Sequence, residues 1–246
     1  MKAFLDWAVA IRDVLFARGC AGCDRPDEVL CPACSGMLTL DGSRALPGRS
    51  SSACLFCAEY TGDVRRAILS WKDHGDVECK SVFAGAMGKR FIRWLSSSDE
   101  GLASGSGCRV VFVPVPSSPT SIRRRGGWHM GSLSAALVDV LHAAGVDAAT
   151  VPALRLGRGV TRSVESRGLR SRVRRIENEL AVDEACGSVL RDEVGAHAVV
   201  CLMDDIITTG ETMRQCVRAL QAVGVDVGVG LVLARTPSSR DRRHTM

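Results

Sequence analysis

The segment Val199-Val-Cys-Leu-Met-Asp-Asp-Ile-Ile-Thr-Thr-Gly-Glu-Thr212 constrains the fold more than any other stretch of this chain. Its first part, Ala198–Met203, is continuously apolar, which suits a strand buried on both faces as in a parallel sheet. It ends in two acids, and a Thr-Thr-Gly turn opens a helix, Thr212–Val223, that stops at Gly224. Arg109–Val115 and Val225–Ala234 have the same β-rich character, and a helix over His129–Ala144 lies between the first of these and the acid-tipped strand. Earlier, a strand at Ala53–Glu59 precedes helices from Asp63 to His74 and from Glu78 to Leu95. Strand and helix in alternation predict an α/β fold built on a parallel sheet.

With 246 residues, the chain has room for one full α/β domain and a small satellite. The hydrophobic fraction of 46% and charged fraction of 24% exclude low-complexity disorder and collagen-like repeats. No run is apolar enough for a membrane span: Val110–Val113 ends at Pro114, and Ala222–Ala234 is broken by Asp226 and several glycines. Asp6, Arg12 and Asp13 interrupt what would be a signal core, and Arg18 stands where a lipoprotein signal needs a small residue before Cys20. The expectation is a cytoplasmic protein.

Eleven cysteines, an odd number, do not resemble a secreted disulfide framework. Cys20-Ala-Gly-Cys23 and Cys31-Pro-Ala-Cys34 form two Cys-x-x-Cys knuckles seven residues apart, a spacing that lets four thiolates wrap one tetrahedral zinc. With all four positions filled by sulfur, no catalytic water fits, so the zinc is structural. The other readings of these pairs are disulfides or free thiols. A short amphipathic helix over residues 1–19 (Phe4, Trp7, Ala8, Ile11, Leu15) leads into the knuckles, and a Gly/Ser/Pro/Arg-rich stretch, residues 41–52, reads as a linker or turn. The expected division is residues 1–50 for the zinc segment and 51–246 for the α/β domain. Cys54 and Cys57 belong to a strand that would turn them to opposite faces, and they read as core, as do Cys79, Cys108, Cys186, Cys201 and Cys216.

In open α/β sheets ligands bind at the carboxyl ends of strands, where Asp204 and Asp205 stand. The turn amides, the hydroxyls of Thr208, Thr209 and Thr212, and the helix N-terminus make a phosphate cradle, with Gly210 giving the turn its freedom. The two carboxylates would repel a phosphate. They suit sugar hydroxyls, directly or through Mg²⁺. Asp204, Asp205, Ile206, Ile207, Thr208, Thr209, Gly210 and Thr212 therefore read as a site for a ribose and its monophosphate. A side chain at Gly210 would collide with that phosphate or disallow the turn.

At these residues the sequence resembles the phosphoribosyl pyrophosphate (PRPP) loop of type I phosphoribosyltransferases, and the rest resembles the ComF family of competence-related proteins. The four-cysteine segment matches that family's N-terminal zinc knuckles. Tyr60-Thr-Gly with Val64-Arg-Arg-Ala-Ile-Leu-Ser-Trp-Lys72 and Gly75 is similar to its tyrosine–glycine strand end and LK-x-x-G segment, and Val113-Pro-Val-Pro116 followed by Arg123-Arg-Arg-Gly126 to its VPVP…RRRGFNQ stretch. This chain has Gly126-Gly127-Trp128-His129 where the family continues GFNQ, and keeps the later segment in part as Leu169, Arg175 and Asn178. The resemblance implies a phosphoribosyltransferase-like domain that binds PRPP with Mg²⁺ and transfers its phosphoribosyl group to an acceptor the sequence does not name. It also implies a link to DNA uptake. The alternative is a non-catalytic single-stranded-DNA-binding or regulatory protein that retains the PRPP site.

After the VPVP strand, small residues around Ser117 would let backbone amides approach a pyrophosphate, as in phosphoribosyltransferases, and Arg123, Arg125 and Lys72 could neutralise it. Each cation has a plainer reading: the arginines as a solvated basic loop, Lys72 as a helix-end cation. Between Arg155 and Arg175 there are eight arginines and one acid, Glu165, a density that attracts polyanions. Arg170, Arg172, Arg174 and Arg175 are the candidates for contact with single-stranded DNA, although the stretch offers no aromatic ring for base stacking. His129, at a helix start beside Trp128, reads as structural rather than catalytic.

Overall fold

The computed structural model describes residues 19–97, 109–156, 180–195 and 197–237. Its centre is a six-stranded sheet in the order β1-β2-β8-β7-β3-β4, made of β1 (Gly42–Leu46), β2 (Arg49–Glu59), β3 (Val110–Pro114), β4 (Ala148–Thr150), β7 (Val199–Ile207) and β8 (Val229–Arg235). All neighbours are parallel except β1, which runs antiparallel to β2. A separate antiparallel pair joins β5 (Leu154–Leu156) to β6 (Leu180–Val182). The chain is therefore mixed α/β with a mostly parallel central sheet, as its strand–helix alternation implies.

Both faces of the sheet are covered, which explains why the central strands carry no polar face. In β3, Val110 and Phe112 join one core cluster while Val111 and Val113 join the other. The first cluster packs under α2 (Gly62–Asp73), α3 (Cys79–Ser97) and α5 (His129–Ala143), with Phe91 edge-on to Phe112 at 5.3 Å between ring centres. The second packs under α6 (Glu184–Gly195) and α7 (Glu211–Gln221), the latter through Met213, Cys216, Val217 and Leu220. Cys54 belongs to the second cluster and Cys57 to the first, so the two thiols do face opposite ways and serve as core.

The stretch expected to be a linker is instead a β-hairpin. Residues 42–46 and 49–59 pair antiparallel, so the boundary expected at 50 falls within a strand of the central sheet. The polar residues that suggested a linker, Ser43, Arg44, Ser50 and Ser51, are exposed, as an edge strand's outer residues must be. Arg90, buried in α3, anchors the hairpin: it pairs with Asp41 at 2.8 Å and donates to the Gly42 carbonyl at 3.1 Å. Two helices also escaped the periodicity, α6 and the short α4 (Pro119–Arg125), which holds the arginines expected in a loop. The last strand begins at Val229 rather than Val225. The amphipathic stretch before Gly19 lies outside the described residues.

Residues 19–40 hold the cysteine knuckles, a short helix α1 (Pro32–Gly36) and a 3₁₀ turn (Met37–Thr39). Their buried side chains, Cys20, Leu30, Cys31, Cys34 and Leu38, belong to the same cluster as Ile68, Trp71 and Phe83. The cysteine segment thus rests on α2 and α3 and shares their core.

Candidate functional site

The strand order reverses between β7 and β3: from β7 the chain proceeds through α7 to β8 on one side, and from β3 through α5 to β4 on the other. Their adjacent carboxyl ends form the crevice where this class of sheet binds ligands. A cavity of about 520 Å³ occupies it, within the 300–1,000 Å³ range of small-molecule sites. Of the residues singled out in the sequence, Asp204, Asp205, Ile206, Thr208 and Thr212 line it, and so do Ser117, Arg125 and Lys72. Ile207, Thr209, Gly210 and Arg123 are not among the lining residues. Ile207 is core, Gly210 lies buried beneath the turn, and Thr209 and Arg123 are exposed.

Asp205 is the most elaborately held group. It is 4% exposed, and its Oδ2 receives both the Lys72 ammonium and a hydrogen bond of 3.1 Å from His129 Nε2. Arg125 Nη1 lies 3.4 Å from His129 Nδ1. A guanidinium only donates, so Nδ1 accepts and Nε2 carries the proton given to Asp205. Trp71 sets the imidazole from its edge at 5.1 Å between ring centres. Burial alone would push the Asp205 carboxyl up, but the His129 hydrogen bond and the Lys72 charge outweigh it and hold the group at about 2. Asp205 is thus a fixed anion.

Asp204 has the opposite character. It precedes Asp205 on the strand, and its Oδ1 accepts the Asp205 amide at 2.8 Å. Burial first, and then the charge of Asp205 beside it, raise Asp204 well above the usual carboxylate range. One acid is held as an anion, while its neighbour gives up its proton less readily.

Past the acids, residues 208–210 turn into α7, with Gly210 at the N-cap and φ +79. A Cβ at Gly210 would come within 2.5 Å of Pro47 Cγ. A side chain at Gly210 would thus also meet the β1–β2 hairpin, whose tip packs on the turn, and the positive φ disfavours one there. Thr208 and Thr212 face the cavity, and the first amides of the eleven-residue α7 lie next to them. Glu211, the one acid of this first turn, pairs with Arg214 along the helix.

Opposite the turn, Ser117, Ser118 and Ser121 line the cavity, and Ser118 caps α4 by accepting the Ser121 amide at 3.1 Å. Arg125 and Arg124 both donate to Asp73, at 3.1 and 3.2 Å, which ties α4 to the end of α2. Lys72 and Arg125 thus reach the cavity already engaged with carboxylates, and their first role is to fix its wall. The sequence reading noted His129 and Tyr60 without assigning them to the site, and both line the cavity. His129's signal was its place four residues past Arg125 at a helix start, which fixes a side chain without saying what it faces.

The four sulfurs of Cys20, Cys23, Cys31 and Cys34 lie within 4.8 Å of one another, with Cys23 and Cys31 at 3.5 Å. Four thiolates around a tetrahedral zinc stand roughly 3.8 Å apart, given Zn–S bonds of about 2.3 Å. The residues present therefore fit such an ion. The Cys31 amide donates to Cys20 Sγ at 3.3 Å, as a knuckle does. Burial pushes the Cys20 thiol up, but the amides of Cys23, Cys31 and Gly22 prevail and bring it down to about 6, ready to bind as thiolate. Gly22 permits the closeness: a Cβ there would come within 2.8 Å of Cys34 Sγ.

Arg170, Arg172, Arg174 and Arg175 lie outside the described residues. Arg155, where the basic stretch begins, pairs with Asp183 at 3.4 Å. No helix of the described residues is long and apolar enough to cross a membrane. In comparisons with known proteins, no family model matches the chain and no curated sequence is detectably similar to it.

Proposed function

We propose that the chain is a phosphoribosyltransferase-like protein that binds PRPP in the 520 Å³ cavity and passes its phosphoribosyl group to a nucleophile. The observation that carries this is the convergence, at one strand-order reversal, of an acid pair, a hydroxyl-rich turn into a helix N-terminus, and a serine-and-cation wall opposite. A ribose 5-phosphate carrying a second anionic group needs these three features in this order. Thr208, Thr212 and the α7 amides take the monophosphate. Asp205, with Oδ2 already occupied, offers Oδ1 to a ribose hydroxyl, and Asp204 stands beside it on the same cavity. Ser117, Lys72 and Arg125 face the pyrophosphate.

In the transfer, the bond from the anomeric carbon to the pyrophosphate oxygen breaks and its electron pair leaves with pyrophosphate. The acceptor's lone pair forms the new bond, and the acceptor's proton passes to solvent. Positive charge develops on the ribose beside Asp205, and negative charge on the leaving group beside Lys72 and Arg125, so fixed charges of the right sign face both ends. Mg²⁺ arriving with PRPP neutralises pyrophosphate charge when bound. The cysteine cluster holds a structural zinc. The link to DNA uptake comes from the ComF resemblance and the arginine-rich stretch.

Pyrophosphate release from Mg²⁺–PRPP, measured with a panel of heterocycles and amines, tests the reading. Release that is faster than in buffer and lost in Asp205→Asn supports transfer. Saturable PRPP binding without release supports the retained-site alternative, and the absence of both overturns the assignment.

A further inference from the structure

The cysteine cluster and the main cavity are tied to opposite ends of one helix, α2, and the contacts at its head have no part in the proposed function. There Asp63 Oδ2 lies 3.5 Å from Cys34 Sγ, in the second knuckle. Arg66 pairs with Asp63 and donates from Nε to the Gly22 carbonyl, inside the first knuckle, at 2.5 Å. Gly22 admits this approach, because a Cβ there would come within 3.2 Å of the Asp63 carbonyl oxygen. The head of α2 therefore clasps both knuckles. It also suits the ion: four thiolates outweigh the charge of a zinc, and Arg66 brings a compensating positive charge from the outer shell.

At the tail, the Lys72 ammonium meets Asp205 Oδ2, Trp71 packs edge-on against His129, and Asp73 accepts from Arg124 and Arg125. The end of α2 thus holds the Asp205 side of the cavity and, through α4, the serine wall opposite. Asp63 and Lys72 are separated by roughly 14 Å of helix at about 1.5 Å per residue, so no side chain joins the two ends. The helix itself does. Its buried residues, Val64, Ala67, Ile68 and Trp71, form one stripe at helical spacing and pack in the core that also takes Cys31 and Cys34. A helix close-packed along its length transmits a displacement of its head to its tail.

We infer that the two sites are energetically coupled through α2, so that zinc at the knuckles and the anionic ligand of the cavity each raise the chain's affinity for the other. Asp63 and Arg66 are the positioning residues at the head, and Lys72 carries the effect to the cavity. The coupling rests on the zinc reading of the cysteines, and on the phosphoribosyl reading only for what fills the cavity. By linkage the effect is the same factor in either direction. Arg66 is 59% exposed, so water screens its contacts and the factor belongs at the low end of the usual range, roughly five- to tenfold.

The test is the rate of zinc transfer from the full chain to the chelator pyridylazoresorcinol, beside a separate titration with PRPP. Arg66→Met keeps the aliphatic stem and loses both polar contacts at the head, while Lys72→Met removes the contact at the tail. Each should speed transfer about three- to tenfold. The double variant should fall short of the product of the two by more than the roughly twofold within which independent sites combine. Val217→Ala, in the core cluster of the opposite sheet face, controls for mere loss of stability and should leave transfer as in wild type. Mg²⁺–PRPP should slow transfer roughly five- to tenfold in wild type but not in Arg66→Met. The inference is overturned if wild type carries no zinc, if Lys72→Met releases it as wild type does, or if the two substitutions simply multiply. It is equally overturned if Val217→Ala speeds transfer as much, or if PRPP binds without slowing it. If the variants respond as expected but PRPP does not bind, the coupling stands and the phosphoribosyl reading falls.

Discussion

Asp205→Asn removes the charge on which Lys72 and His129 converge, and its cost follows from the structure. The carboxyl is held at about 2 against an ordinary 3.8, equivalent to about 2 kcal/mol of stabilisation of the folded state at neutral pH. Because the folded value is depressed, that contribution is complete above about pH 4 and is lost as pH falls through 2. The amide also leaves the Lys72 ammonium, 21% exposed, facing a neutral group, and breaking a buried pair from one side costs about 3–5 kcal/mol. A loss of about 2–4 kcal/mol at pH 7 is therefore expected, read from urea unfolding midpoints of wild type and variant. Between pH 4 and pH 2 the gap should narrow, since wild type loses its own contribution there. Asp204→Asn is the internal control: burial and the neighbouring Asp205 charge raise the Asp204 carboxyl rather than depress it, so the amide should cost less than Asp205→Asn. A gap below about 0.5 kcal/mol at pH 7, the scatter of ordinary surface substitutions, would refute the reasoning. So would a gap that does not respond to acid, or an Asp204→Asn that costs as much as Asp205→Asn.

Elemental analysis of protein expressed with adequate metal should find one zinc per chain, and Cys31→Ser should lose it and lower the melting temperature; less than half an equivalent in wild type would remove the metal from the account. Gly210→Val should abolish PRPP binding and also cost stability, because the new side chain must displace Pro47 while holding a positive φ; unaltered PRPP affinity would show that the turn does not hold the phosphate. If the chain binds single-stranded DNA, replacing Arg170, Arg172, Arg174 and Arg175 by Gln should flatten the salt dependence of affinity by about 0.7 in logarithmic slope for each phosphate no longer neutralised; an unchanged slope would place the DNA-binding face elsewhere.

The features legible in the sequence are those that repeat locally. β3 and β7 read as buried parallel strands because every position is apolar up to the acids; β7 does not stop there as the sequence suggests but continues through Ile207, and the structure covers both faces of the two strands. The cysteine knuckles were legible because four sulfurs at tight spacing have few other uses. The hairpin at residues 42–59 was not, because an edge strand presents Ser and Arg to water and so has the composition of a linker. What places it is Arg90, far along the chain in α3, pairing with Asp41 and Gly42. The chemistry of the site was half legible. The acids and threonines stand in one run, but their difference in character arises from Lys72 and His129 on separate helices.

The central claim is that one cavity holds a phosphoribosyl group through Asp205 and the threonine turn. Calorimetric titration of the full chain with PRPP and Mg²⁺, on wild type and Asp205→Asn in parallel, tests it most directly. Charge-assisted hydrogen bonds contribute about 1.5–3 kcal/mol, so wild type should bind one PRPP per chain at or below millimolar concentration and the variant should bind about ten- to a hundredfold more weakly. No binding to wild type at millimolar PRPP, or equal affinity in the variant, would contradict the assignment.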